Sequence, residues 1–134
     1  VHAVGLYGAS GAGICEQEDL LQQVDIINGT LAKAVGVIGG YITASQTIID
    51  FIRSFGSGFI FTTSLPPAVC AAAEKSITLI QQQSSQRTKL FHLVEYLRRL
   101  LGEADITFTE NSSHITHVRM KNAVVCKKVA DKLL

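Results

Sequence analysis

A chain of 134 residues with 47% apolar and 17% charged residues has the length of one domain, or of parts of two, and the material for a packed core. A net charge of +1 with no long basic or acidic run argues against polyanion binding as the main task and leaves room for a local phosphate site. No apolar run reaches the roughly 18 residues a membrane span needs. Cys15, Cys70 and Cys126, odd in number and without metal-ligand spacing, read as reduced, mostly buried thiols of an intracellular protein.

Val1 to Val4 reads as the end of a strand that begins in mid-pattern, as in an excerpt from a longer chain, and not as a signal peptide. A loop with Gly5, Gly8, Gly11 and Gly13 follows, and Glu16 to Val24 carries a short helical pattern through Leu20, Leu21 and Val24. Asp25-Ile26-Ile27 is a short β-rich run before a Gly29-Thr30 turn, and Gly39 to Thr43 is a second short strand. Ser45 is placed to cap a helix whose Ile48, Ile49 and Ile52 face a core. Phe59 to Thr62 reads as another strand, entered through Gly56 and Gly58. Pro66 and Pro67 open an alanine-rich helix that runs to about Gln83.

From Ser84 to Leu101, apolar residues from Leu90 to Leu101 recur at three- and four-residue intervals, so a helix is predicted, with Arg87, Lys89, Arg98 and Arg99 on its other face and Gly102 as its end. Ile106 to Phe108 and His114 to Met120 are predicted strands, and Ala123 to Leu134 a last amphipathic helix. Ten of the eleven glycines precede residue 60, and the composition changes near residue 84. The expected class is therefore α/β, with residues 1–83 forming a layer whose site lies on its loops and residues 84–134 a smaller accessory unit.

Three constellations bear on chemistry. The loop from Gly8 to Gly13 follows a strand-like segment but lacks the GK[ST] ending of a P-loop and the GxGxxG spacing. It reads either as a phosphate cradle or, more simply, as a tight loop whose backbone takes positive φ. Ser113 and His114 are adjacent, so in a strand they face opposite ways and cannot share a proton, and His117 faces away from His114. Lys33 lies among Leu31, Ala32, Ala34, Val35 and Gly36, three residues after the hydroxyl of Thr30. Desolvation in such company favours the neutral, nucleophilic amine. Spacing alone leaves this open against an ordinary surface lysine in a loop.

The runs Val1 to Gly8, Gly11 to Ile14, Asp25 to Ile27, Gly29-Thr30-Leu31, Lys33-Ala34, Gly39 to Ile42, Gly58 to Pro67 and, more weakly, Ser113 to Ile115 resemble in order the α-oxoamine synthases, and within them the branch that forms 5-aminolevulinate. Siblings of that branch make 8-amino-7-oxononanoate, 2-amino-3-oxobutyrate or 3-oxosphinganine. The resemblance implies a fold-type I transferase dependent on pyridoxal 5'-phosphate (PLP). Residues 1–83 would then be the C-terminal half of the PLP-binding large domain, and residues 84–134 part of the α+β C-terminal small domain.

It implies that Lys33 carries PLP and moves the glycine α-proton, that His2 hydrogen-bonds the cofactor's phenolic oxygen and that Thr30 binds its phosphate. It implies further that Thr62 and Thr63 reach the phosphate held by the neighbouring subunit of a homodimer. The implied reaction joins glycine to succinyl-CoA, releasing CoA and carbon dioxide, at the start of haem biosynthesis. The implied compartment is the bacterial cytoplasm, or the mitochondrial matrix in a eukaryote. Ser10 stands where the family commonly has arginine, Asn28 where it frequently has serine, and Ser112 and Thr116-His117 where prolines are usual. The family's aspartate for the pyridine nitrogen would precede Val1, so the segment by itself is expected to be inactive.

Overall fold

A computed structural model describes all residues from Val1 to Leu134. The chain divides into two compact units, Val1–Arg87 and Thr88–Leu134. The division falls within one helix.

In the first unit the opening residues form no strand. The N–H groups of Leu6 and Tyr7 both turn back to the Ala3 carbonyl, so Val1 to Val4 leads into a bend instead. Helix α1 (Ile14–Gln17) is one turn long and earlier than the Glu16 to Val24 pattern predicts. It stops because Asp19 adopts φ 55°, allowing Leu20 N–H to reach the Cys15 carbonyl (2.8 Å) and Asp19 N–H to reach Glu16 (3.2 Å), a Schellman closure.

Strands β1 (Ile26–Thr30) and β2 (Gly40–Ala44) pair antiparallel, with Ile26 opposite Ala44 and Thr30 opposite Gly40. Gly29-Thr30 is thus the end of a strand and not a turn; a Cβ on Gly29 would meet the ring of Tyr41, its register partner. Helix α2 (Gln46–Phe55) starts where Ser45 accepts the N–H of Ile48. It turns Ile48, Ile49 and Ile52 inward and leaves Phe51 and Phe55 exposed, their rings 5.0 Å apart.

The predicted strand over Phe59 to Thr62 is instead a helical turn, α3 (Ser57–Ile60). Aromatic and β-branched residues suit a strand only when another strand is there to pair with. Here the N–H groups of Phe59 and Ile60 bond the Gly56 carbonyl and close the turn locally. Helix α4 (Pro67–Gln82) begins with Pro67 in its first turn, as its sequence requires.

The hydrophobic core is small. Leu31, Val35 and Ala73 are buried together, and Val37, Tyr41, Leu65 and Ile80 pack against them. The high apolar content is therefore largely at the surface, as at Phe61, which is 86% exposed. The thiols follow the same pattern: Cys70 and Cys126 are exposed and Cys15 is half-buried, against the expectation of buried cysteines, although all three are free.

Helix α5 (Ser85–Glu103) crosses from the first unit into the second. It continues past Gly102 and ends in a second Schellman closure, with Asp105 at φ 56°, Ile106 N–H on the Leu101 carbonyl (2.8 Å) and Asp105 N–H on Gly102 (3.1 Å). Strands β3 (Phe108–Thr109) and β4 (His117–Val118) pair antiparallel and are shorter than predicted. Residues 110–116 form the loop between them, and α6 (Ala123–Leu133) is capped by Asn122 accepting the N–H of Val125.

Candidate functional site

Lys33 sits in the turn between β1 and β2. Leu31 N–H bonds the Gly39 carbonyl and Val37 N–H bonds the Leu31 carbonyl, each at 3.0 Å, while Gly36 and Gly39 supply positive φ. Leu31 and Val35 are the residues this turn buries. Lys33 lies between them on the opposite side and is exposed, without a hydrogen bond or ion pair. The expected desolvation of the amine is thus not met within this chain: Leu31 and Val35 point into the core, while Ala32, Ala34 and the lysine are exposed. The turn does offer an amine uncommitted to any partner on a backbone pinned from both ends.

Thr30 belongs to the same turn. Its hydroxyl accepts the N–H of Ala32 (3.2 Å) and donates to the Gly39 carbonyl (3.4 Å), which ties the end of β1 to the start of the lysine turn. His2 is exposed in the opening segment. Thr62 and Thr63 are exposed after α3, with Thr62 donating to the Gly58 carbonyl at 2.5 Å. No hydrogen bond joins them to the lysine turn, but Leu65, two residues beyond Thr63, packs on Gly39, where a Cβ would be 2.9 Å away.

The glycine-rich loop packs beside the same turn. A Cβ on Gly5 would lie 2.5 Å from the Cβ of Ala34, the residue after the lysine. Gly5, Gly8, Gly11 and Gly13 all take φ between 81° and 107°, and Gly5 N–H to the Gly11 carbonyl (2.7 Å) closes the loop on itself. Its tip is not a phosphate cradle, because the N–H groups of Ser10 (3.0 and 3.2 Å) and Ala12 (2.9 Å) already bond the Glu16 carboxylate. These bonds, Ser10's first, hold the Glu16 carboxyl below the ordinary carboxylate range, helped by the Ser10 hydroxyl and the charge of Arg87. Arg87 is buried and donates to the carbonyls of Ile80 (2.6 Å) and Ala9 (2.7 Å).

Sequence reasoning missed both charged residues. A carboxylate three residues beyond a glycine-rich loop was a readable signal; Arg87, 78 residues from Ala9, looked like part of a solvated helix face. A cavity of about 390 Å³ lies on the core side of the lysine turn, with Val4, Gly11, Ile27, Val35, Tyr41 and Ile80 in its wall. It is apolar and holds none of the predicted site residues.

In the second unit, Ser113 and His114 lie in the β3–β4 loop and not in a strand. The Ser113 hydroxyl donates to the Asn111 side chain (2.6 Å) and accepts Ile115 N–H (3.2 Å), which commits it to the loop. No helix of the chain is long and apolar enough to cross a membrane.

The chain as a whole is similar to known proteins. Residues 1–134 match the family described as aminotransferase class I and II, and the chain belongs to that family. It is 49% identical over its whole length to a 5-aminolevulinate synthase of Rhizobium meliloti (strain 1021), of which it covers 33%. It is 43% identical over its whole length to the erythroid-specific mitochondrial 5-aminolevulinate synthase of Homo sapiens, of which it covers 23%. Among solved structures, a lysine-to-alanine variant of a serine palmitoyltransferase from S. paucimobilis, with a bound PLP–myriocin aldimine, superposes with a TM-score of 0.85 at 29% identity, over 92% of this chain and 33% of that one. An 8-amino-7-oxononanoate synthase from Francisella tularensis shares the fold, with a TM-score of 0.82 at 23% identity over 99% of this chain and 40% of that one. The chain thus spans about a quarter to a third of the length of the curated relatives named here, and its α/β architecture is that of a segment of a fold-type I transferase.

Proposed function

We propose that this chain is the lysine-bearing segment of a PLP-dependent acyltransferase that condenses glycine with succinyl-CoA to 5-aminolevulinate, releasing CoA and carbon dioxide. The observation that carries the reading is the uncommitted, exposed amine of Lys33 on a turn fixed by buried Leu31 and Val35, within a chain 49% identical to a 5-aminolevulinate synthase.

The residues fit such a cofactor. An amine without an ion pair is free to bond a carbonyl carbon covalently, and Thr30, in the same turn, would serve a phosphate by turning its hydroxyl from the Gly39 carbonyl, which it meets at 3.4 Å. When bound, PLP supplies an electron sink for the carbanion left at the glycine α-carbon. Lys33 would take and return the glycine α-proton, with the high effective concentration that its tether to the same chain gives. His2 hydrogen-bonds the cofactor's phenolic oxygen. Thr62 and Thr63 bind the phosphate held by a second copy, so the functional unit is a homodimer with shared sites. Residues 1–83 are assigned to the large domain and 84–134 to the small one. The enzyme is placed in the bacterial cytoplasm, or in the mitochondrial matrix of a eukaryote.

The likeness to a serine palmitoyltransferase keeps a sibling specificity as the second reading. Turnover of glycine by the full-length protein with a panel of acyl-CoA thioesters separates the two. Succinyl-CoA is expected to give the highest kcat/KM; preference for acetyl-, pimeloyl- or a long-chain acyl-CoA would move the protein to a sibling activity.

A further inference from the structure

The glycine-rich loop is gripped by two charged side chains that the proposed reaction leaves unused. From one side Glu16 takes the N–H groups of Ser10 and Ala12. From the other, Arg87 gives one N–H to the Ala9 carbonyl and another to the Ile80 carbonyl. Arg87 is the one charged side chain buried in the chain. Burying a guanidinium is costly unless its donors are satisfied, and an apolar residue of similar volume often serves stability as well. Its use here against backbone carbonyls points to a task of placement.

The loop between these grips is closed by its own backbone bonds. Gly5 N–H to the Gly11 carbonyl, Gly11 N–H to Gly8 and Gly13 N–H to Tyr7 tie it across itself. A Cβ at Gly8 would run into the Glu16 carboxylate, and one at Gly11 would lie 2.9 Å from Ile80 and 3.1 Å from Arg87. The loop's far end, Gly5, touches Ala34, the neighbour of Lys33. A closed backbone ring thus connects the gripped residues to the neighbour of Lys33.

We infer that Glu16 and Arg87 are positioning residues for Lys33, holding the glycine-rich loop as a fixed wall against Ala34. The inference rests on the reading of Lys33 as the cofactor lysine. It is tested in the full-length PLP-loaded enzyme with Glu16→Gln, Glu16→Ala, Arg87→Lys and Arg87→Met. The readouts are the pH titration of the visible absorption of the lysine-bound cofactor and the separate values of kcat and KM for glycine.

Glu16→Ala and Arg87→Met are expected to move the titration midpoint by about half a pH unit or more. They are also expected to lower kcat about ten- to hundredfold, the effect of a misplacement of up to an ångström, with KM changed far less. Glu16→Gln and Arg87→Lys, which keep some of the bonds, fall between. Variants that load PLP yet keep the wild-type midpoint and kcat overturn the inference, even if they melt earlier. If the truncated variants do not fold, the conservative pair decides by the same criterion. A wild type with no lysine-bound chromophore overturns the cofactor reading and this inference with it.

Discussion

Two loops of this chain are built around one arginine each, and they differ in how the rest of the backbone is held. In the first unit, Arg87 takes the Ala9 and Ile80 carbonyls, four glycines provide positive φ, and Glu16 takes the exposed N–H groups. In the second unit, Arg98 takes the carbonyls of Asn111 (2.9 Å), Ser113 (2.7 Å) and Ile115 (3.3 Å) and bonds the Thr116 hydroxyl, in a loop without glycine or proline. Asn111 does the work of Glu16 there: its side-chain oxygen accepts Ser113 N–H, and its amide donates to Thr109 and Ile115. A loop rich in glycine reaches its shape through backbone freedom and needs few side chains; one without glycine must be held almost wholly by side-chain bonds. The Ser112 and Thr116-His117 positions, where the resembling family has prolines, fall within or beside the loop that Arg98 holds.

This contrast breaks most visibly at Arg87. Arg87→Ala removes two charge-assisted bonds in a buried place and leaves carbonyls unpaired, a loss of about 3 kcal/mol. Amide exchange across residues 5–13 of the full-length protein should then quicken by about two orders of magnitude while residues 111–116 keep their protection. Arg98→Ala, at a half-buried site, is expected to cost about 2 kcal/mol and to give the reverse pattern, with exchange quickening about thirtyfold in residues 111–116 alone. Equal effects of either change on both loops would contradict the comparison. Gly8→Ala should cost about 1–2 kcal/mol from its φ of 82° alone, with overlap on Glu16 added, seen as a lower denaturation midpoint; an unchanged midpoint counts against the tight-loop account.

A smaller effect depends on pH. The folded-state pKa of Glu16 is depressed, so its stabilising contribution is present above the ordinary carboxylate range and is lost as pH falls through the folded value. Glu16→Gln should therefore flatten the acid side of the stability profile and leave its neutral side nearly parallel to wild type; two superimposable acid limbs would deny Glu16 this role. The smallest change is a gain: Asp105→Gly relieves a non-glycine residue at φ 56° and should add about 0.5–1 kcal/mol, read as a raised melting temperature.

Much of the fold could be read from local pattern. The Ser45 cap, the Pro67 start of α4, the apolar spacing of α5 and the strand around Tyr41 depend on residues close in sequence. Phe59 to Thr62 could not be read in this way, because a β-prone run becomes a strand only beside another strand, and here Gly56 closes it as a helical turn. Nor could the two helix ends at Asp19 and Asp105, since glycine is the usual signal and aspartate took the left-handed position. At the candidate site, the lysine, its threonine and the glycine loop were visible as motifs. The grip on that loop was not, because Ala9 and Arg87 are 78 residues apart and a lone arginine in a polar helix face looks solvated. The exposure of Lys33 was hidden for a related reason: neighbours that are apolar in sequence alternate between core and surface around a turn.

The central claim is that Lys33 carries the cofactor, and it is tested by reducing the full-length protein with borohydride in the presence of PLP and mapping the labelled peptide. A stable pyridoxyl group on Lys33, lost in Lys33→Ala, is the predicted result. Label on another lysine, or none, would contradict the account.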